Sequence, residues 1–321
     1  MIRRVIIPLD GSELAERVIP HLLRFITPQQ TELLLMTALS SPQFPLLDDT
    51  MRSLESTPAT MLHKGETSTR VQVVAQQLSQ QGFRVESKFV SGMPAESILH
   101  AAEQTCVDLI AMSTHGRTGI GLALLGSVAD EVVRNALPPV FLVPAQAIVK
   151  PDVPLPQTLL LPLDGTSLAE MAIPAARHFA QNTGAVIHLL RVVEPLDSGS
   201  RSSTGCVFVN PEDAREHPVV QQAFYYLERI HARLQLAGIA SHWRVAMGDP
   251  AVAIAFAADF DNADLIVMST HGRAGMERMV FGSIASQVIG SAICPVLLMR
   301  GKVPVEGYQC SGDAVPANFS G

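Results

Sequence analysis

At 321 residues the chain is about twice the length of an ordinary domain, and its 47% apolar and 17% charged residues describe packed cores rather than a disordered or coiled-coil protein. A net charge of −7 with no dense Lys/Arg cluster argues against a nucleic-acid or membrane-surface footprint, since both need concentrated positive charge. Cys106, Cys206, Cys294 and Cys310 show no CxxC spacing and no companion histidine at ligand distance, so neither zinc nor a disulfide framework is indicated, and a reduced cytoplasm fits.

Residues 2–8 read as a first strand, too short for a signal-peptide core, and no apolar run approaches the ~18 residues that cross a bilayer. A helix follows over 12–26, with a bend or early break expected at Pro20 because proline removes a backbone bond. Strands are predicted at 31–38, 84–90, 107–113 and 139–143, with helices at 66–82, 94–104 and 126–136 between them. The Ser-, Pro-, Thr- and Asp-rich stretch 40–65 reads as a mobile loop. Pro151, Pro154 and Pro156 mark a linker, and the pattern then starts again. Strands are predicted at 158–163, 185–193, 239–246, 263–269 and 295–299, with Pro174 troubling the first helix and a second long loop over 194–217. The expected division is a domain at 1–146, a linker at 147–156, a second domain at 157–301 and a loose tail at 302–321.

The halves repeat in detail. Pro8-Leu9-Asp10-Gly11-Ser12 returns as Pro162-Leu163-Asp164-Gly165-Thr166, 154 residues on. Asp108 to Arg117 (DLIAMSTHGR) returns as Asp264 to Arg273 (DLIVMSTHGR), 156 residues on, and Gly92-x-Pro94 matches Gly248-x-Pro250 at the same spacing. Apolar strands alternating with amphipathic stretches give an α/β fold in which a parallel sheet is covered by helices, five strands to each copy.

Gly116, Gly119, Gly121 and Gly126-Ser127 follow the fourth strand and open an apolar helix, and Gly272, Gly275 and Gly282-Ser283 do the same in the second copy. Glycines let backbone approach an anion, and a helix N-terminus offers unpaired N–H groups, so this is a phosphate cradle by composition and place. It is not a P-loop, because the lysine is missing, and no GxGxxG opens the first strand–helix turn. The duller reading makes the glycines a tight turn and Asp10-Gly11-Ser12 a helix cap. Recurrence at matched spacing favours binding. His115 and His271 lie inside the loops with no legible carboxylate partner, and Arg117 and Arg273 read as solvated charges or phosphate neutralisers.

The chain resembles the ATP-binding branch of the universal stress protein family over nearly its whole length, in two successive copies. The family loop reads Gly, two residues, Gly, nine residues, Gly-Ser/Thr; here Ser113 and Ser269 stand at the first glycine, and Gly116 to Gly126 and Gly272 to Gly282 keep the rest. The resemblance implies two doubly wound five-stranded domains of strand order 3-2-1-4-5, packed as a pseudo-two-fold dimer through their fifth strands. It implies that the backbone of Thr37 and Val192 meets adenine, flanked by Pro8 and Pro162, with Met112 and Met268 packed nearby. Asp10 and Asp164 would hold the ribose or a hydrated Mg ion. Ser113, Gly116, Gly126, Ser127 and Val128 would wrap the phosphates in the first copy, and Ser269, Gly272, Gly282, Ser283 and Ile284 in the second. The implied ligand is ATP, AMP or ADP, and the implied role regulatory, in stress response, with an unidentified protein partner or a homodimer beyond the internal one. Two other classes stand beside it. A slow ATP hydrolase or phosphotransferase needs a positioned base and a charge clamp, neither of which is visible, and a nucleotide-free dimerisation module is disfavoured by the intact glycine loops.

Overall fold

A computed structural model describes residues 2–39, 58–114 (58–64 as backbone), 125–150, 155–194, 205–210, 212, 217–269 and 282–300. The first half runs β1 (Arg4–Pro8), α1 (Glu13–Glu16), α2 (Val18–Leu22), β2 (Glu32–Leu39), α3 (Pro58–Gln80), β3 (Arg84–Ser91), α4 (Pro94–Gln104), β4 (Leu109–Ser113), α5 (Ser127–Asn135) and β5 (Val140–Val143). The second runs β6 (Thr158–Pro162), α6 (Ser167–Glu170), α7 (Ile173–Thr183), β7 (Val186–Val193), β8 (Val207–Val209), α8 (Pro218–Leu236), β9 (Ser241–Met247), α9 (Pro250–Phe260), β10 (Leu265–Ser269), α10 (Ser283–Ser291) and β11 (Val296–Met299).

All ten anticipated strands form within two residues of their expected bounds. The first helix of each half breaks early, as the prolines foretold. α1 ends at Arg17 and Pro20 sits in the first turn of α2, where a missing N–H costs little; Pro174 sits likewise at the start of α7. Two expectations need correction. α3 starts at Pro58, inside the stretch read as loop, and β8 lies inside the second loop, paired antiparallel to β9. The linker positions 151–154, the tail from 301, and positions 40–57, 195–204, 211 and 213–216 of the long loops lie outside the described residues.

The strands form one 11-stranded sheet in the order β3-β2-β1-β4-β5-β11-β10-β6-β7-β9-β8. Each half is therefore a parallel 3-2-1-4-5 sheet, and the second adds β8 at its outer edge. Helices cover both faces. Alternate residues of the buried strands feed two cores, Val5, Ile7, Leu33 and Leu35 on the face of α1 to α3, and Ile6, Leu34 and Met36 on the face of α4 and α5.

β5 and β11 pair antiparallel, joining the halves. Phe141 stands opposite Leu297, and Leu142 and Val140 opposite Val296 and Leu298. Phe141 and Leu297 are repeat mates 156 residues apart, so the pseudo-two-fold axis passes between them. Phe25 and Phe179, also mates, meet edge-on across the same axis with ring centroids 5.5 Å apart. The pairing uses two apolar edges that would otherwise template aggregation.

Charge reinforces the joint. Arg24 of the first half donates to Asp264 of the second at 2.9 Å, with side chains only 9% and 2% exposed. Asp264 also accepts from the amides of Gln157 (2.7 Å) and Thr158 (3.1 Å) and from Lys150 Nζ at 3.1 Å. Burial pushes its carboxyl upward, and the hydrogen bonds from Gln157, Thr158, Arg24 and Lys150 outweigh this and hold it below its ordinary value. His21 on α2 is 1% exposed and neither ring nitrogen finds a partner. Burial first, then the neighbouring Arg17 and Arg24 charges, lower its pKa to about 4.

Candidate functional site

The strand order reverses at β1 and β4 in the first half and at β6 and β10 in the second, so the crevice beyond their carboxyl ends is where an open α/β sheet takes ligand. Pro8 ends β1 and Ser113 ends β4, with Val5 and Ile6 in register with Leu109 and Ile110 beneath them. Asp10 follows β1. Its Oδ1 accepts from Ser12 N at 2.9 Å across Gly11, whose φ of +80° tightens the turn, and Ser12 Oγ then caps α1 by accepting from Ala15 N. Asp164 repeats this with both the amide (2.9 Å) and the hydroxyl (2.5 Å) of Thr166 across Gly165, φ +81°. Capping thus belongs to Ser12 and Thr166, while the two aspartates shape the turns at the strand ends.

The glycine loop is clasped where it begins and ends. Thr114 N donates to Val143 O (3.0 Å), and Gly126 N donates back to Thr114 O (2.8 Å). Gly126 is the N-cap of α5, and no side chain caps that helix; Gly282 holds the same place before α10. Both have ordinary φ values, −64° and −61°, so glycine is not demanded there by conformation. Its use is the missing side chain, which leaves the first-turn amides of Ser127 and Val128, and of Ser283 and Ile284, without a capping group. The two helices differ in their first turn. α5 carries Asp130, paired with Arg134 at 2.7 Å, whereas α10 has Ser286 there and no acidic residue. Arg134, the partner of that carboxylate, is replaced by Gly290, so the whole ion pair is missing from α10.

Each half thus brings together Pro8, Asp10, Ser113, Gly126, Ser127 and Val128, or Pro162, Asp164, Ser269, Gly282, Ser283 and Ile284, at the ends of adjacent strands and the helix facing them. Met112 and Met268, each 6% exposed, sit in the core under these helices. Gly116 and Gly272 lie outside the described residues, with the remainder of the loops. Thr37 and Val192 are not equivalent. Met36 pairs with Pro8 and Leu190 with Pro162, so Thr37 matches Arg191 and Val192 matches Ala38. Thr37 is 1% exposed, with its hydroxyl unpartnered. Ala38 was missed. The signal was available, because the 154-residue spacing set at Pro8 and Pro162 holds through the second strand.

Arg191 brings a charge to the second half that Thr37 does not bring to the first. Its guanidinium lies over the β6–α6 turn and donates to Leu163 O at 3.3 Å. Nearby, burial first and then the neighbouring Glu170 carboxylate push the Tyr226 phenol upward. Among the described residues no cluster of His, Cys, Asp or Glu could hold a metal unaided, and no helix is long and apolar enough to cross a membrane.

Two duplicated, doubly wound α/β domains with glycine-capped helices at their switch points define a class. The sequence profile of the universal stress protein family matches residues 1–144 and again 156–300, and the chain belongs to that family. It is 29% identical over 154 residues to universal stress protein MJ0577 of Methanocaldococcus jannaschii, covering 44% of this chain and 95% of that one. Universal stress protein Rv2005c of Mycobacterium tuberculosis is 26% identical over 225 residues, 67% of this chain and 69% of its own. In structure, a universal stress protein from Archaeoglobus fulgidus superposes with a TM-score of 0.66 at 21% identity, covering 92% of this chain and 96% of that one, which supports the fold.

Proposed function

We propose that each half binds an adenine nucleotide, ATP, ADP or AMP, and that occupancy regulates the protein's contacts in a stress response. One observation carries this reading: in both halves a glycine N-caps a helix without a side-chain cap, at the topological switch point, beside an aspartate at the end of the adjacent strand. The arrangement fits the ligand. Uncapped amides with a partial positive charge suit phosphate, and Asp10 and Asp164 suit ribose hydroxyls or the water shell of Mg bound with the phosphates. Ala38 and Val192, half-buried at matching strand ends, are the pair we assign beside adenine.

In this reading the nucleotide domains are 1–146 and 157–301, with 147–156 as linker and 302–321 as tail. The thiols of Cys106, Cys206 and Cys294 are free, as in a reducing cytoplasm. Denaturing the purified protein and weighing what it releases tests the reading, with titration of emptied protein against ATP. Two nucleotides per chain are expected. Gly282→Val, which puts a branched side chain where the phosphate approaches, should leave one. Two nucleotides at unchanged affinity in Gly282→Val would show that α10 is not a phosphate cradle.

A further inference from the structure

Resting on that nucleotide reading, we infer that the two sites are coupled, and that residues 144–150, running from the end of β5 along the second half, carry the coupling. Gln146 Nε2 donates to Ile289 O (3.3 Å) and Gly290 O (3.0 Å), the last turn of α10, the helix whose other end is the second cradle. Two residues on, Ile148 N donates to Ile293 O at 2.9 Å. The carbonyls on either side of Gln146 are held from the first half, where Arg17, at the α1–α2 break, donates through Nη1 to Ala145 O and through Nη2 to Ala147 O at 2.7 Å. Arg17, Leu14, Ser113 and Ala145 line one small cavity, and Ser113 Oγ donates to Leu14 O at 2.6 Å. A continuous run of hydrogen bonds and one short helix thus joins the second cradle to the residue that opens the first glycine loop.

The connection is asymmetric among the described residues: Met171 is the repeat mate of Arg17 and has no guanidinium to grip a carbonyl. Direct repulsion between the two bound phosphates is a poor alternative carrier. β5 and β11 are antiparallel, which turns the two crevices toward opposite ends of the sheet, and screening removes interactions beyond about 8 Å at physiological salt.

Anion on the first-turn amides of α10 fixes that helix. A helix of 9 residues moves as a rod, so its terminal carbonyls are fixed with it. Gln146 then has fixed acceptors, the strap is ordered between α10 and Arg17, and the first site has less to order when its own nucleotide arrives. This is positive cooperativity through ordering, and linkage requires it to act equally in reverse.

The test is titration of nucleotide-free protein with ATP and Mg, with global fitting of two sites, and amide exchange of Ala147 and Ile148 read on the same samples. Wild type should show the first-filled site tightening the other about 5- to 10-fold, the low end of allosteric coupling because neutral hydrogen bonds carry it. Exchange at Ala147 and Ile148 should slow on loading. Gln146 is exposed, so Gln146→Ala should keep the fold and two sites while bringing the coupling factor to one. Gln146→Glu, which preserves size and loses the donor, should do the same, and a denaturation curve of each variant checks that it is folded. Independent sites, a single site, negative coupling, or coupling that survives both substitutions would overturn the inference and leave nucleotide binding standing. A chain that binds no nucleotide would refute the nucleotide reading and this coupling with it.

Discussion

Asp264→Ala should be among the most damaging single substitutions in the molecule, and its repeat mate supplies the control. Asp108 accepts from the amides of Arg3 (2.7 Å) and Arg4 (3.0 Å) just as Asp264 accepts from those of Gln157 and Thr158. Only Asp264 also receives a buried guanidinium from the other half, with Lys150 beside it. Removing Asp108 loses two partly solvated hydrogen bonds to a charged group, about 1–3 kcal/mol. Removing Asp264 loses the like pair and also leaves Arg24 buried without its counter-charge, a loss of about 3–5 kcal/mol. Urea denaturation of the two variants, compared through midpoints at constant m, reads the difference. Arg24→Met combined with Asp264→Ala should regain about 2 kcal/mol relative to Asp264→Ala alone, because the stranded charge is gone. Equal losses for Asp108→Ala and Asp264→Ala, or no recovery in the double variant, would refute the view that a cross-half ion pair secures the joint.

Acid should weaken the protein through His21. Its folded pKa is lowered to about 4, so between pH 6.5 and 4 the unfolded chain binds a proton that the folded chain refuses, and stability falls with pH by up to about 3 kcal/mol. His21→Leu should remove most of the fall in denaturation midpoint over that window, leaving the share of His178, which burial also lowers, and the loss at lower pH where the depressed carboxyl of Asp264 takes its proton. Gly248→Ala should cost more than Gly92→Ala, although both glycines have φ near +145°, because a Cβ at Gly248 would lie 3.0 Å from Gly205 O and 3.2 Å from Cys206 Cα. Faster alkylation of Cys206 in Gly248→Ala would report the release of β8. Ser283→Ala should weaken the second site about 10-fold to 100-fold by removing a hydroxyl bond to a charged group, with melting temperature unchanged.

The sheet was legible because its strands are runs of Val, Ile and Leu bounded by turn residues, and because each was written twice. α4 could be read to the residue from Pro94 at its first position. β8 could not. Val207-Phe208-Val209 is three residues in a polar stretch, and it is a strand only because the edge of β9 accepts it, a tertiary fact. The first turns of α3 were hidden for a similar reason, since Gly65 interrupts a segment whose apolar stripe is weak. The joint between halves was legible as a place, the fifth strands, but its charges were not: Arg24 and Asp264 lie 240 residues apart and only the folded pseudo-symmetry brings them together.

Duplication made the site legible and also shows where the halves have diverged. The two repeat spacings, 154 before the second strand's end and 156 from Gly92 and Gly248 onward, place a two-residue difference after β2 and β7. Residues up to those strands must be matched by the first spacing, which pairs Thr37 with Arg191, Glu16 with Glu170 and Arg17 with Met171. Beyond them the second spacing pairs Arg70 with Tyr226 and Asp130 with Ser286. In the first half Arg70 bonds Glu16, whereas in the second Tyr226 takes its place and a guanidinium enters instead from the strand, as Arg191. Helix α8 still brings Arg229 and Arg233 to 3.9 Å from Glu170, so Arg191 is an added cation at the β6–α6 turn, and on α10 Ser286 and Gly290 stand where α5 has its Asp130–Arg134 pair. Arg191 raises the positive potential at the second crevice relative to the first, so on the nucleotide reading the second half should fill first. Titration of wild type against Gly282→Val decides the order: if the tighter of the two sites survives in the variant, the electrostatic ranking is wrong.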